Sequence, residues 1–152
     1  MRNFKKVVCI ILMVTFVLGV FSGCGKKEGG VNKKAISKEL GIDITAAEER
    51  YNNDFTEDSG NTLITIVYKD NALENLIKNA EHWNKLPMDA AFREFLTTTI
   101  PDAEEGYYYF CNKNKNVDDV YDPSVINEDE KNHFVISIYD SKKMILYYIE
   151  VN

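Results

Sequence analysis

The stretch HFVISIYDSKKMILYYIEV, His133–Val151, decides the fold. Two runs rich in β-branched and aromatic residues flank DSKK at 140–143, a pattern that predicts a tight β-hairpin. Comparable runs come earlier in the chain: TLITIVYKD at 62–70, GYYYFCN at 106–112 and the less regular AAEERYNNDF at 46–55. Together they predict an antiparallel sheet of four to five strands.

Helical patterns lie before and between these runs. The stretch KKAISKELGI at 33–42 has apolar residues at helical spacing and a glycine, Gly41, that can end the helix. Two more helices are predicted because apolar residues recur at spacings of three and four: Leu73, Leu76, Ile77 and Ala80, then Ala91, Phe92, Phe95 and Leu96 within about 89–98. We therefore predict an α+β fold for a single domain, residues 33–152, with two to three helices mainly on one face of the sheet.

The charge balance limits the class of partner. Three of the 18 basic residues lie in MRNFKK at 1–6, which leaves 15 basic residues against 24 acidic ones and a formal charge of −9 for the rest. A surface of this sign repels phosphate backbones, so nucleic acid is not an expected partner.

The first 24 residues form a separate feature. The basic start precedes an uncharged apolar run at 7–21, which is followed by Ser22, Gly23 and Cys24. These are the parts of a secretory signal. The run is shorter than the roughly 20 apolar residues of a transmembrane helix, although an uncleaved anchor is the alternative.

The segment FSGC resembles the lipobox of bacterial lipoproteins, with Phe21 where that family most often has leucine. The resemblance implies a signal peptide at 1–23, cleavage between Gly23 and Cys24, and a diacylglycerol on the Cys24 thiol. Two acyl chains give stable membrane attachment at about 0.8 kcal/mol per buried CH₂. We therefore expect residues 24–32 to be a lipidated cysteine with a flexible tether, and the protein to lie on the extracytoplasmic face of the cell membrane.

Four stretches of the remaining chain carry a second resemblance: KELGIDI, WNKLP, EGYYYF and FVISIYD…ILYYIEV. In this order they are similar to a family of small uncharacterised proteins of low-GC Gram-positive bacteria. The likeness spans most of residues 33–152. It implies one compact domain and supplies no catalytic residue.

Residue types that carry chemistry are not arranged as a known site. His82 and His133 are not at metal-ligand spacing, and Cys111 is the only cysteine after Cys24, so we predict no metal, no cofactor and no internal disulfide, with Cys111 as a core residue. Two acidic groups lack the alternation and the glycine of a calcium loop and indicate a solvated loop: Asp118, Asp119 and Asp122, then Glu128, Asp129 and Glu130.

Alternation along the terminal hairpin predicts a binding surface. Successive strand residues point to opposite faces, and placing the isoleucines inward leaves Tyr139 and Tyr148 outward, with Tyr108 on whichever face remains. Exposed tyrosines are typical of protein interfaces. Burial of these rings under loops or the N-terminal helix is the alternative.

These observations predict a membrane-tethered, extracytoplasmic lipoprotein that acts as a non-catalytic binding module. Its expected partners are the membrane, through the diacylglyceryl anchor, and an envelope protein. The alternative function is that of a small cell-envelope hydrolase that uses the loop carboxylates.

Overall fold

A computed structural model describes residues 32–56, 60–95, 101–114, 118–125 and 133–152. The described part of the chain belongs to one compact unit, Val31–Asn152. In chain order its elements are α1 (Lys33–Leu40), β1 (Glu49–Thr56), β2 (Thr62–Tyr68), α2 (Ala72–Ile77), β3 (Trp83–Lys85), α3 (Ala90–Phe95), β4 (Gly106–Asn112), a 3₁₀ turn (Pro123–Val125), β5 (Phe134–Asp140) and β6 (Ile145–Val151).

The fold is α+β, with three helices and one antiparallel sheet in the order β1-β2-β6-β5-β4-β3. The predicted hairpin at the end of the sequence is confirmed, because β5 pairs with β6 from Phe134 opposite Val151 to Asp140 opposite Ile145. The hairpin supplies the two central strands, so the sheet is built around it.

The prediction of four to five strands was too low, because the sheet has six. The additional strand is β3, whose three residues, Trp83 to Lys85, pair with β4. A strand of three residues is too short to show an alternating pattern, and this one ends close to Pro87.

The predicted N-terminal helix and its glycine end are confirmed. The side chain of Asn32 accepts a hydrogen bond from the Ala35 N–H, which caps the start of α1. Gly41 has φ +65° and donates its N–H to the Ser37 carbonyl, so it ends the helix in the left-handed conformation. Ile36 and Leu40 are buried, and they hold α1 against the sheet.

Helices cover the sheet on both sides. We call the side covered by α1 and α2 the front face, where these helices pack on Ile64, Ile66, Tyr68, Tyr107, Tyr109, Val135, Tyr139, Leu146 and Tyr148. The third helix, α3, lies on the back face, where Phe92 packs with Phe110, Ile136, Ile138 and Ile149. The expectation of helices mainly on one face therefore holds for α1 and α2 and not for α3.

Coverage of the back face is uneven. Over β4 and β5, Met88, Phe92 and Ala103 bury the sheet. Over β1 and β2, no helix of the described ranges packs on the sheet, and large apolar side chains stay exposed. Among the described residues, no helix is long and apolar enough to cross a membrane.

Candidate binding surface

The tyrosines predicted to form a binding surface do not form one. Tyr139 is fully buried and Tyr148 is 6% exposed, and both lie on the front face beneath α1 and α2. Tyr108 is half-buried on the back face near Phe92, so the structure separates it from the other two. The prediction of an exposed surface at Tyr139 and Tyr148 was wrong, and the alternative of burial is correct for them.

Placing the isoleucines of the hairpin inward predicts that Ser137 and Tyr139, which share a face of β5, point outward. Ser137 is fully buried, and its hydroxyl donates a hydrogen bond of 2.7 Å to the Tyr147 carbonyl. A buried hydroxyl costs little when it is hydrogen-bonded, so a serine does not by itself mark a solvent-facing position. Both faces of β5 are buried, and alternation cannot identify an exposed face there.

The buried tyrosines have the electrostatic properties of core residues. Burial raises the pKa of Tyr139 to about 12 and also raises that of Tyr148. The Tyr139 hydroxyl has no hydrogen-bond partner within the described part of the chain. These rings pack the interior and are not available to a ligand.

Large apolar side chains are exposed at the opposite end of the sheet. Tyr51 is 59% exposed, Phe55 54% and Leu63 36%. They project from the back face of β1 and β2, where Tyr51 lies opposite Val67 and Phe55 lies opposite Leu63. We call these four residues the open patch.

Solvent exposure changes sharply along one row of side chains that crosses the back face from β2 to β5. Leu63 neighbours Ile149 on β6, which is 2% exposed, and the row continues to the fully buried Ile136 on β5. One strand spacing, about 5 Å, therefore separates an exposed position from the interior. The open patch continues the hydrophobic core to the surface instead of being an isolated apolar residue.

Sequence analysis missed Tyr51 and Phe55, although the signal was present. In the segment YNNDF, the apolar residues Tyr51 and Phe55 are four positions apart. An even spacing puts both side chains on the same face of a strand. The pattern is short and lies in the predicted strand with the least regular sequence, so it is a weaker signal than the pattern of the terminal hairpin.

An ion pair fixes the start of β1 to the N-terminal helix. The Lys33 ammonium lies 2.6 Å from a Glu49 carboxylate oxygen, and the Asn52 amide donates to the other oxygen at 3.1 Å. Burial acts to raise the pKa of Glu49, but the hydrogen bonds from Lys33 and Asn52 outweigh it and hold this pKa below its ordinary value. The residue that follows the predicted tether is thus bound to the strand that carries Tyr51 and Phe55.

A polar cleft of about 410 Å³ lies at the C-terminal end of α1, between Leu40, Gly41, Ala80, His82, Tyr109 and Tyr121. Its walls bond to one another: the Trp83 Nε1–H donates to the Leu40 carbonyl at 3.0 Å, and the Tyr109 hydroxyl donates to the Glu39 carbonyl at 2.9 Å. The His82 ring stacks on Tyr121 with centroids 3.5 Å apart. The two hydrogen bonds join the C-terminal end of α1 to β3 and β4.

Two of the described loop acids, Asp119 and Asp122, act as turn caps. Asp119 accepts the Tyr121 N–H at 2.9 Å, and Asp122 accepts the Ser124 N–H at 2.8 Å. The bond from Ser124 lowers the pKa of Asp122, whereas a general acid needs a raised pKa. Glu128, Asp129 and Glu130 lie outside the described residues.

Of the remaining predicted residues, some lie within the described ranges and some lie outside them. Cys111 is a buried free cysteine on β4, as predicted, and burial raises the pKa of its thiol. Within the described ranges, no group of three or more His, Cys, Asp or Glu side chains could hold a metal ion. The predicted lipidation site, Cys24, and the predicted cleavage site at Gly23 lie outside the described residues.

Comparison with known proteins adds no relative. No protein-family model, curated protein or solved structure matches the chain. The two resemblances drawn from the sequence stay predictions, and any function rests on the residues themselves.

Proposed function

We propose that the chain is a lipid-anchored, extracytoplasmic binding module without catalysis. Cys24 carries the diacylglyceryl anchor, and the open patch is the surface that binds an envelope protein. The observation that carries the binding function is the exposure of Tyr51, Phe55 and Leu63 on one face of the sheet. The anchor is supported by the order of basic, apolar and small residues before Cys24.

The chemistry of the open patch suits a protein partner. Aromatic residues are enriched at the centres of protein interfaces, where a large ring area is buried and few rotamers are lost. Contiguous apolar surface is normally removed from water in monomers, and its presence indicates an interaction site. On β1 the exposed Asn53 lies between Tyr51 and Phe55 on the same face, so the patch also carries a polar group that can hydrogen-bond to a partner.

The anchor is tested by replacing the nucleophilic thiol. Cys24→Ser retains the size and polarity of the side chain but cannot form a thioether. We expect the variant to lose labelling by radioactive palmitate and to move from the detergent phase to the aqueous phase in Triton X-114 partition. A variant that still labels and partitions with detergent contradicts the anchor.

The binding surface is tested by site-specific photocrosslinking in intact cells. A benzoylphenylalanine at position 51 places the reactive group on the open patch, and the same group at Lys34 places it on an exposed position of α1. We expect adducts from position 51 that position 34 does not give, and we expect Phe55→Ser to abolish them. Equal adducts from both positions, or none from position 51, contradict the open patch as the binding surface.

A further inference from the structure

We propose that the outer edge of β1 pairs with β1 of a second copy of this chain, antiparallel, about a twofold axis at Asn53. The pairing rests on the proposed function in one respect, since it names the partner that covers the open patch. It joins the two sheets into one of twelve strands and places the two open patches side by side.

The first argument is the direction of the backbone groups of β1. The Tyr68 N–H donates to Met144 beside β6, and the Lys69 N–H donates to Glu48 beside β1, each at 2.9 Å. Because these directions alternate along a strand, the odd-numbered residues of β2 bond to β1. Their partners on β1 are Tyr51, Asn53 and Phe55.

It follows that the backbone N–H and C=O groups of Asn52 and Asp54 point away from the sheet. β1 is the outermost strand, and every residue from Arg50 to Thr56 is exposed. A long edge of this kind is a template for another strand. No proline on β1 removes a donor from it.

The second argument is the self-complementarity of the sequence. With Asn53 opposite its own copy, Asn52 lies opposite Asp54 of the second copy, and both present outward backbone groups. The same register sets Tyr51 opposite Phe55 on the back face, and the twofold axis repeats each pair. Aromatic pairs across antiparallel strands stabilise pairing, and here they cover the exposed rings of the open patch.

The neighbouring registers are worse. Centring the pair on Asn52 places Tyr51 opposite Asn53 and separates the aromatic rings. Centring it on Asp54 sets two carboxylates directly opposite each other, which is destabilising. If the twofold axis lay between two residues, each outward backbone group of one copy would lie opposite an inward group of the other copy. No ladder of hydrogen bonds would then form.

The predicted tether favours this partner over a soluble one. A single pair of strands buries less than the roughly 1,600 Å² of a standard interface, so association in dilute solution is weak. Chains anchored at Cys24 would share one surface, and confinement raises the effective concentration of each chain for its copies. The ion pair between Lys33 and Glu49 holds the start of the domain beside the strand that pairs.

The test is disulfide trapping of the full chain in intact bacteria treated with a mild oxidant. Asn53→Cys places two thiols opposite each other at the axis, within the roughly 7 Å between Cα atoms that a disulfide allows. Thr65→Cys is the matched control, because Thr65 lies in the same row and on the same face, one strand inward. Its copies would be three strand spacings apart, about 14 Å.

We expect most of the Asn53→Cys chain to run as a dimer on a non-reducing gel, and Thr65→Cys to stay at the background set by the native cysteines. Equal dimer in both variants, or none in either, overturns the pairing. Asp54→Pro in the Asn53→Cys background removes one outward N–H, leaves the bonds to β2 intact and should abolish the dimer.

The outcomes separate this inference from the proposed function. Adducts of position 51 with a different protein, without dimer from Asn53→Cys, overturn the pairing and leave the binding module standing. Trapping repeated on the detergent-solubilised full chain at increasing concentration needs no anchor. A dimer there supports the pairing even if Cys24→Ser shows that the chain is not lipidated.

Discussion

Tyr139 and Tyr51 lie on opposite faces of the same sheet and differ most in exposure to solvent. Tyr139 lies on a central strand on the front face and is fully buried, whereas Tyr51 lies on the edge strand on the back face and is 59% exposed. The residue type is the same, and the difference is set by which helices cover each position. Tyrosine tolerates both places because its ring is apolar and its hydroxyl is polar.

The largest expected effect is the difference in stability between truncating Tyr139 and truncating Tyr51. Tyr139→Ala leaves a cavity in the core and should lower the free energy of unfolding by about 3–5 kcal/mol. Tyr51→Ala removes a side chain that is mostly in water and should change it by no more than about 0.5 kcal/mol. Urea titrations followed by circular dichroism measure both. Equal losses would mean that the front and back faces are covered alike.

A smaller change tests the Tyr139 hydroxyl, which has no partner in the described chain. Tyr139→Phe removes an unsatisfied polar group and should raise the free energy of unfolding by about 1 kcal/mol. Tyr68→Phe is the control, because the Tyr68 hydroxyl donates to the Ile44 carbonyl at 3.0 Å. That change should lower stability by about 1 kcal/mol. Effects of the same sign would show that the Tyr139 hydroxyl is hydrogen-bonded.

The pH dependence of the Lys33–Glu49 pair tests how the edge strand is held. The pKa of Glu49 is lowered from its ordinary value near 4.5, so the pair stabilises the fold fully above about pH 4.5. The contribution is lost as the pH falls through the lowered pKa. Glu49→Gln should therefore cost up to about 1 kcal/mol at pH 7 and nothing at the acid end.

The neighbouring glutamate provides the control for this measurement. Glu48 pairs with Lys69, but its side chain is 70% exposed against 21% for Glu49. Solvent screens an exposed pair more strongly, so Glu48→Gln should lower stability less than Glu49→Gln does at pH 7. Thermal melts between pH 3 and pH 7 are the measurement, and a larger effect from Glu48→Gln would contradict the role given to Glu49.

The smallest expected effect on stability belongs to the open patch. The double variant Tyr51→Thr, Phe55→Thr places β-branched residues, which favour strands, in β1. It should change the free energy of unfolding by no more than about 0.5 kcal/mol per site. It should nevertheless eliminate the dimer trapped through Asn53→Cys, because the cross-strand aromatic pairs are gone. A large loss of stability would show that these rings are covered in the folded chain.

The sequence predicted the α+β class, the terminal hairpin and the glycine that ends α1, because each depends on local chemistry. Two runs of β-branched residues around DSKK specify a hairpin wherever it lies in the sheet. The face covered by each helix depends on contacts between distant segments. β5 is apolar on both faces, so its pattern is the same whichever side is outward.

The candidate surface was misplaced for the same reason. Tyr139 and Tyr148 alternate with isoleucines along the hairpin, and placing the isoleucines inward predicts that the two tyrosines point outward. The exposed rings, Tyr51 and Phe55, lie on the edge strand, where the sequence pattern is weakest. Short strands such as β3 carry no period at all and depend on their neighbour for pairing.

The strand order also bears on the export proposed for this chain. β2 and β4 are both synthesised before the strands that join them, since β6 and β5 lie between them in the sheet. Thr62 must find Glu150, and until then β1 and β2 can form only a two-stranded hairpin, which is marginal in water. An emerging chain therefore cannot complete its sheet before residue 150 is made. For the exported protein proposed above, late completion of the sheet would leave the polypeptide unfolded while it passes through a translocation channel. Folding would then follow on the far side of the membrane.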